Sequence, residues 1–340
     1  MSFGQGPSSE VVETVGVLSL TADESTPRSP VRPGRSPSQI AFERLRADRV
    51  AVISFGIVIL FVLVAIFAPV LASLGGNPSP TKLDANLVDT YGFPTVGLSS
   101  GHWFGVEPRL GRDLFARWVY GARPSLIVSF SAGMIATVIG TVVGLVSGFL
   151  GGAVDRVLSW VVDFFLALPF LIFVLVMVPI ATAWFGNPDS MTAEKVSSVR
   201  MWILIGVFAL LGWAGLARLV RGEVLSLRER EFVQAARAIG VPTRRILFKE
   251  ILPSLSGVII VFLSITIPAL VSAEAGLSLL GAGMIEPTAS WGRTIASAQQ
   301  YFSVDPMYMF MPMIAVTALV LALSLFGDAV RDAFDPSTRR

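Results

Sequence analysis

The sequence contains no cysteine and a single histidine, His102, in 340 residues. The absence of cysteine excludes disulfide bonds, cysteine-ligated zinc and thiol catalysis. One histidine without a neighbouring cysteine or carboxylate pair is a poor metal site and a poor general base, so we expect His102 to be an ordinary turn or surface residue. The patterns HExxH and GxxxxGKS/T are also missing. The sequence therefore gives no reason to expect this chain to hydrolyse peptides by a zinc mechanism or to hydrolyse ATP.

Charged residues are scarce as well, at 15% of the chain against 53% hydrophobic residues, whereas an average soluble domain is about 25% charged. A helix that crosses a membrane needs roughly 20 mostly apolar residues. Lipid accommodates only structures that satisfy their own backbone hydrogen bonds, so long apolar stretches predict helices. The composition thus predicts an all-α membrane protein with six transmembrane helices. The predicted spans are residues 50–74, 124–150, 157–184, 201–221, 252–273 and 306–327.

The basic residues are unevenly distributed between the segments that join these spans. With six spans both termini share one compartment, and 18 of the 26 Lys and Arg residues fall on that side. Basic residues are retained in the cytoplasm, so the distribution predicts a multi-pass cell-membrane protein with cytoplasmic N- and C-termini. The net charge is only +2, which favours a role in orientation over binding of nucleic acid.

The segments outside the spans differ in character. Residues 1–38 are rich in Ser, Pro, Gly and Arg and have no periodic apolar face, so they predict a disordered cytoplasmic extension. Residues 39–49 are predicted to lie on the cytoplasmic surface, before a transmembrane domain of residues 50–336 and a short tail of residues 337–340. Residues 75–123 form an external connection with a basic, aromatic end that is typical of interfacial helices.

A small residue occurs at every fourth position through much of the second predicted span. This spacing forms a ridge at which another helix can approach closely. We expect the ridge to pack within the subunit, and a contact between subunits is the alternative. Its members are Ala132, Ala136, Gly140, Gly144 and Gly148.

Two acidic residues, Asp163 and Glu274, fall within or at the ends of predicted spans. Ionisable residues at membrane depth are costly and are therefore candidates for function, here in the transport pathway. Arg218 and Arg221 end the fourth span on the side of Asp163, so a buried structural ion pair is the favoured role for Asp163. Glu274 lies at the outer end of the fifth span, where it either borders a translocation cavity or caps the helix.

A polar stretch, EFVQAARAIGVPTRRILFKEILP at residues 231–253, interrupts the apolar sequence. Residues from Glu231 onward contain few helix breakers, Gly240 suits the left-handed residue that ends a helix, and Pro242 suits the first turn of the next helix. The stretch therefore predicts a helix–turn–helix on the cytoplasmic face. Ala235 and Ala236 give its surface a low profile that a partner's cleft could enclose.

The sequence QAARAIG, followed after nine residues by EILP, resembles the EAA motif of permease subunits in ATP-binding-cassette importers. Other blocks are similar to the C-type permease of dipeptide and oligopeptide uptake systems, and the resemblance covers about residues 40–336. Gln234 departs from the general motif, which has Glu there, and Glu250 stands where Ile is frequent. The blocks are LGRDLFARWVYGARPSL, SGFLGGAVDRVLSWVVDFFLALP, LARLVRGEVLSLREREFVQAARAIG, EAGLSLLGAG, SWGRTIASAQQ and FGDAVRDAFDP.

The resemblance implies a six-helix permease of the type I importer fold that does not itself catalyse a reaction. Its expected partners are a second homologous permease, two ATPase subunits, an extracytoplasmic peptide-binding protein and membrane lipid. ATP and Mg would be bound by the ATPase subunits, and this chain would hold no cofactor or metal. The ATPases would dock on the loop at residues 222–251 and its flank. The residues implied in coupling are Glu231, Gln234, Ala235, Ala236, Gly240, Pro242, Leu252 and Pro253.

Other functions remain open from the sequence. Nickel or glutathione is the rival substrate within the same family. A secondary transporter would need ion-coupling carboxylates near the middle of the membrane and often has internal repeats, whereas Asp163 and Glu274 lie towards opposite ends. An intramembrane enzyme would need a nucleophile–base pair or a metal cluster, which the sequence does not present.

Overall fold

The computed structural model describes residues 37–186 and 190–334, most of which are helical. Residues 1–36 and 335–340 are outside the described range. The predictions for the N-terminal extension and the tail therefore concern residues outside it, except that residues 37 and 38 begin the first helix. Among the described residues, β-structure is limited to three isolated bridges in the external segment.

The helices follow the apolar stretches of the sequence, with shorter helices between them. A π-helical segment, Ile246–Ile251, joins two of the short ones. In chain order the helices are α1 (Pro37–Ala47), α2 (Arg49–Ile66), α3 (Ala68–Leu74), α4 (Leu114–Leu150), α5 (Gly152–Ala167), α6 (Phe170–Trp184), α7 (Ala193–Leu227), α8 (Glu231–Ala238), α9 (Thr243–Arg245), α10 (Leu252–Ser254), α11 (Ser256–Leu279), α12 (Trp291–Ala298) and α13 (Pro306–Phe334).

Five of these helices, α2, α4, α7, α11 and α13, are long and apolar enough to cross a membrane. The predicted third span, residues 157–184, is not one continuous helix, because α5 and α6 meet at a bend of 88°. Leu168 is extended, with ψ of 128°, and Pro169 follows it. Proline disfavours helical backbone in the preceding residue and has no N–H to donate, which explains the break. The six-span prediction holds if the bent pair counts as one span.

Two helices extend well beyond the predicted spans. Helix α4 begins ten residues before the predicted start at residue 124, where the Asp113 side chain accepts a hydrogen bond from the Ala116 N–H at 2.6 Å. Helix α7 continues to Leu227, so the loop predicted to begin at residue 222 begins only after it. Hydropathy marks the length that lies in lipid, whereas caps and polar turns determine where a helix ends.

The most extensive helix–helix contact of the described chain is between α4 and α7. The predicted ridge of small residues lies in this contact. A Cβ atom added at Gly140 or Gly144 would come within 2.6 Å of a carbonyl oxygen of α7, and one at Gly148 would lie 2.8 Å from Val224 Cβ. The helices can approach this closely only because these residues have no side chain. The ridge therefore packs within the subunit, as predicted.

The segment of residues 75–113, which the sequence predicts to be external and which we call the external segment, folds over the start of α4 and meets the loop that leads into α12. Phe104, Phe115 and Trp118 form edge-on and stacked aromatic contacts with centroids 5.2 to 6.4 Å apart. The Trp291 indole nitrogen of α12 donates to the Trp118 carbonyl at 2.8 Å. These contacts join the external segment, the start of α4 and α12 to one another.

Candidate functional site

Helix α8 ends in a turn that only a few residue types adopt readily. Gly240 has φ of 78°, the left-handed conformation that the sequence predicts. Its N–H donates to the Arg237 carbonyl at 3.0 Å, and the Val241 N–H donates to the Ala236 carbonyl at 3.0 Å. This pair of bonds is the Schellman motif, which closes a helix and sends the chain away at a defined angle.

The chain then re-enters helical structure after Pro242, through α9, the π-helical segment and α10. A helix–turn–helix was predicted here, and the second helix contains a π-helical segment that the sequence does not reveal. Such segments are rare and occur frequently at functional sites. We call residues 231–251 the α8–α9 hairpin.

A buried apolar face holds the hairpin against the membrane helices. Val233, Ile246 and Ile251 are buried and belong to one hydrophobic cluster. The Arg237 guanidinium adds a cation–π contact 4.5 Å from the centre of the Phe149 ring. The hairpin is therefore a rigid attachment of α4 and α7. The cluster is completed by Leu145, Phe149, Leu216, Val220, Val224 and Leu255.

The part of the hairpin that does not pack on α4 and α7 is exposed and partly apolar. Ile239 is 80% exposed, and Phe232 and Phe248 are also exposed. Large apolar side chains exposed on a polar segment are typical of a protein interaction surface. Of the eight residues implied in coupling, Ala236 and Leu252 are half-buried, and the other six are exposed, namely Glu231, Gln234, Ala235, Gly240, Pro242 and Pro253.

Asp163 lies 2.5 Å from Arg218 (Oδ1 to Nη2). The prediction of a buried carboxylate is wrong, because the Asp163 side chain is 65% exposed in the isolated chain. Arg221, the other predicted partner, binds Asp155 instead, with Nε and Nη2 at 2.5 and 2.7 Å from its two carboxylate oxygens. Asp155 lies eight residues earlier on the same helix and pairs with Arg221, the less exposed of the two arginines.

Glu274 occupies neither of the positions expected for it. Its side chain is fully buried between α4 and α11, where its two oxygens accept hydrogen bonds from Ser125 at 2.8 Å and Ser278 at 3.0 Å. It therefore borders no open cavity of this chain, and it lies more than a turn before the end of α11 at Leu279. Its partners are hydroxyl groups that join two helices.

A buried ion-pair network at the end of the bundle opposite the α8–α9 hairpin was not predicted. Arg112 donates to Glu107 at 2.5 Å and to Glu286 at 2.7 Å, while Arg117 donates to Glu286 at 2.9 Å. The Tyr308 hydroxyl donates to Glu107 at 2.5 Å. From the sequence, Arg112 and Arg117 were interpreted only as external charges. The block LGRDLFAR, which contains both, was the signal that could have pointed to a structured site. The network ties the external segment to α4, α13 and the loop before α12.

The charges of this network support one another. Burial lowers the pKa of Arg112, but its hydrogen bonds to Glu107 and Glu286 outweigh that effect and raise the pKa above the ordinary value. Burial raises the pKa of Glu286, and the nearby Arg117 and Arg112 more than compensate, so that its pKa is lowered. Arg112 and Glu286 are therefore both charged at neutral pH. His102 lies nearby in a turn, with Nδ1 2.7 Å from Asp113.

Long apolar helices with a rigid polar hairpin at one end form a multi-pass membrane protein. Residues 140–340 match the family described as the inner membrane component of binding-protein-dependent transport systems. Residues 36–88 match the N-terminal transmembrane domain of oligopeptide transport permease C. The chain belongs to this family of membrane-embedded permease subunits of ATP-binding-cassette importers, which confirms the resemblance and the fold class seen in the sequence.

The chain is similar along most of its length to characterised permeases. It is 34% identical over 306 residues to the oligopeptide permease OppC of Escherichia coli K12, covering 90% of this chain and 93% of OppC. It is 32% identical over 316 residues to the dipeptide permease DppC of Bacillus subtilis, covering 91% and 88%. It is also 35% identical over 305 residues to the glutathione permease GsiD of Salmonella paratyphi A, covering 90% and 92%.

Proposed function

We propose that this chain is one of two permease subunits of a peptide importer, and that an ATPase subunit docks on the α8–α9 hairpin. The observation that carries the proposal is the two-sided character of the hairpin. Val233, Ile246 and Ile251 fasten one face to α4 and α7, while Phe232 and Ile239 remain exposed on the other. A surface that is rigidly held and apolar on its free side suits a partner that must push or pull on it.

The proposed mechanism follows from these attachments. Closure of the two ATPases on ATP would move the hairpin, and the buried cluster would pass that movement to α4 and α7. Because the glycine ridge joins α4 and α7 at backbone distance, the two helices would tilt together between inward-facing and outward-facing arrangements. ATP and Mg would be bound by the ATPase subunits. An external binding protein would deliver the substrate to the outer side.

The proposed substrate class is short peptides. The relatives compared above are named for oligopeptides, dipeptides and glutathione, and glutathione is itself a modified tripeptide. Nickel, the other substrate considered from the sequence, is the alternative. Uptake of a labelled tripeptide, of glutathione and of nickel by the reconstituted importer would separate these substrates.

The docking proposal is tested by changing the turn without changing its surroundings. Gly240 has φ of 78° and no atom within 4 Å of an added Cβ, so a substitution acts through the backbone alone. A non-glycine residue in this conformation costs about 1–2 kcal/mol, whereas asparagine is tolerated much better. We expect Gly240→Val to leave the chain inserted but to lower the amount of ATPase that copurifies with it, and Gly240→Asn to retain most of the ATPase.

A second pair of variants tests the exposed surface. Ala235→Asp places a charge on the proposed contact, and Arg245→Ala removes an exposed side chain from the second half of the hairpin. We expect the first to reduce ATPase binding and peptide-stimulated ATP hydrolysis much more than the second. Ala235 is the better probe than Ala236, which is half-buried against the apolar cluster. Full ATPase retention by both Gly240→Val and Ala235→Asp would refute the docking role.

A further inference from the structure

Two ion pairs join α5 to α7, and they differ in how they are held. In the first, Arg221 grips both carboxylate oxygens of Asp155, and Ser147 and Ser159 also donate to that carboxylate. In the second, Arg218 makes a single contact with Asp163, and the two side chains are 58% and 65% exposed. The first pair is a fixed anchor between helices. The second is open on one side and has hydrogen-bonding capacity left over.

The open pair joins α5, the first half of the bent pair, to α7, which is long and apolar enough to cross a membrane. Asp163 is eleven residues after the start of α5, about 16 Å along the helix axis, and Arg218 lies nine residues before the end of α7. Charges inside a helix that crosses lipid are too costly to face acyl chains, so they face the bundle interior or a water-filled cavity. The exposed side of this pair therefore faces away from lipid in the assembled importer.

A cleft of about 220 Å³ lies beside the pair, between α4, α5 and α7. Its lining combines Ser147, Ser159, Asp163, Arg218 and Arg221 with the apolar Val143, Val162 and Ala217. A site with polar partners needs only about 10–15 Å³ to hold a water molecule, so the cleft is large enough to be hydrated next to the pair. Water next to the pair would explain how two charges remain stable with so little protein around them.

Aromatic side chains lie next to the pair on the same helix. Trp160 and Phe164 are both exposed, and their rings stack with centroids 6.2 Å apart. They are separated by one helical turn, with Asp163 between them. The surface thus offers a carboxylate, a guanidinium and two apolar rings, which is the chemistry that complements a peptide with an ammonium group, a carboxylate and mixed side chains.

We propose that Asp163 and Arg218 line a water-filled passage at the end that carries the α8–α9 hairpin. There they would bind charged groups of the passing peptide and so discriminate between peptides by charge. This inference rests on the proposed function as a peptide importer. Arg218 favours anionic groups on the substrate and Asp163 favours cationic ones. In the absence of substrate the two residues neutralise each other.

The transport test uses the complete importer in proteoliposomes and three tripeptides of net charge −1, 0 and +1, Ala-Glu-Ala, Ala-Ala-Ala and Ala-Lys-Ala. Selection by the binding protein is common to all variants and cancels when each variant is divided by the wild type. We expect Arg218→Gln to lower the uptake of Ala-Glu-Ala relative to Ala-Ala-Ala by roughly threefold to tenfold, the scale of one ordinary hydrogen bond in contact with water. Asp163→Asn should do the same to Ala-Lys-Ala.

The exchanged variant, Asp163→Arg with Arg218→Asp, separates substrate recognition from structure. It keeps an ion pair between α5 and α7, so we expect normal assembly. Its effect on charge preference should be smaller than that of either single variant, because both charges remain. Arg221→Gln is the matched control from the anchored pair, and we expect it to reduce the amount of assembled importer without changing the ratios. Unchanged ratios in well-assembled Arg218→Gln and Asp163→Asn importers would overturn the proposal.

Chemical labelling tests the water-filled passage without reference to any substrate. The chain has no cysteine, so Trp160→Cys in the assembled importer introduces one thiol into this subunit. We expect a small water-soluble methanethiosulfonate to modify it, and peptide with ATP to change the rate of modification. Complete protection under all conditions would place this surface in a subunit contact and overturn the inference. A wild-type importer that carries no peptide would instead refute the proposed function, whatever the labelling result.

Discussion

At the scale of single residues, Arg117 is a fully enclosed charged residue of the external network. Its side chain has no exposed surface, and it lies 2.9 Å from Glu286 and 3.7 Å from Glu107. Removing one partner of a buried ion pair leaves an uncompensated charge, which costs about 3–5 kcal/mol. We expect Arg117→Met to lower the thermal unfolding temperature of the purified subunit strongly. Lys82→Ala, at an exposed position of the same external segment, should leave the unfolding temperature almost unchanged.

The same network predicts a dependence of stability on pH. The pKa of Glu286 lies below its ordinary value of 4.5, because its arginine partners outweigh the effect of burial. A carboxylate with a lowered pKa contributes stability that is complete above the unfolded pKa and is lost as the pH falls towards the folded pKa. We therefore expect the difference in unfolding temperature between wild type and Glu286→Gln to be constant from pH 7 to about pH 5 and to shrink below about pH 4.5. A difference that grows on acidification would contradict this assignment.

Residue-scale features were predictable where the signal was local. Gly240 could be assigned from its own sequence neighbours, because glycine before a proline-led helix is a local stop signal. The pairing of Arg112 with Glu286 joins residues 174 positions apart, and no periodicity connects them. Arg221 pairs with Asp155 and not with Asp163, because Asp155 lies deeper between the helices. That difference comes from packing and cannot be read from the spacing.

At the scale of elements, the contact of α4 with α7 depends on residues that have no side chain. An added methyl group at Gly144 would lie 2.6 Å from the Ala217 carbonyl oxygen and 2.7 Å from Val220 Cβ, whereas one at Gly56 in α2 would meet nothing within 4 Å. Overpacking typically costs about 1–3 kcal/mol. We expect Gly144→Ala to lower the unfolding temperature, and Gly56→Ala to leave it equal or slightly higher because alanine is the better helix former. Equal effects of the two substitutions would show that the ridge does not set the packing distance.

The elements themselves were predicted better than their ends and bends. The ridge of small residues predicted a close helix contact, and the structure shows its partner, α7. The break between α5 and α6 was missed, although Pro169 is visible in the sequence. The flanking residues are apolar throughout, and hydropathy does not report a change in the direction of a helix. The start of α4 was missed for a related reason, since the first turns of that helix contain charged side chains that are satisfied only by the external network.

At the scale of the whole molecule, the predicted orientation can be measured directly. Both Ser198 and Ser226 are exposed and lie near opposite ends of α7, and the chain contains no other thiol target. The distribution of basic residues predicts that Ser198→Cys reacts with an impermeant maleimide in intact cells, and that Ser226→Cys reacts only after the membrane is opened. The reverse pattern would place the α8–α9 hairpin outside the cell and remove the basis for ATPase docking.

The exposed apolar face of the α8–α9 hairpin also has a consequence for how the cell must produce this subunit. Ile239, Phe232 and Phe248 are exposed in this chain, and exposed apolar surface of this kind promotes aggregation unless, as we propose, a partner covers it. A permease chain made in excess of its ATPase would therefore keep this apolar surface exposed, and chaperones and proteases can recognise such a surface. On this view, the surface that would transmit force in the finished importer also makes unassembled chains short-lived, which favours balanced synthesis of the subunits.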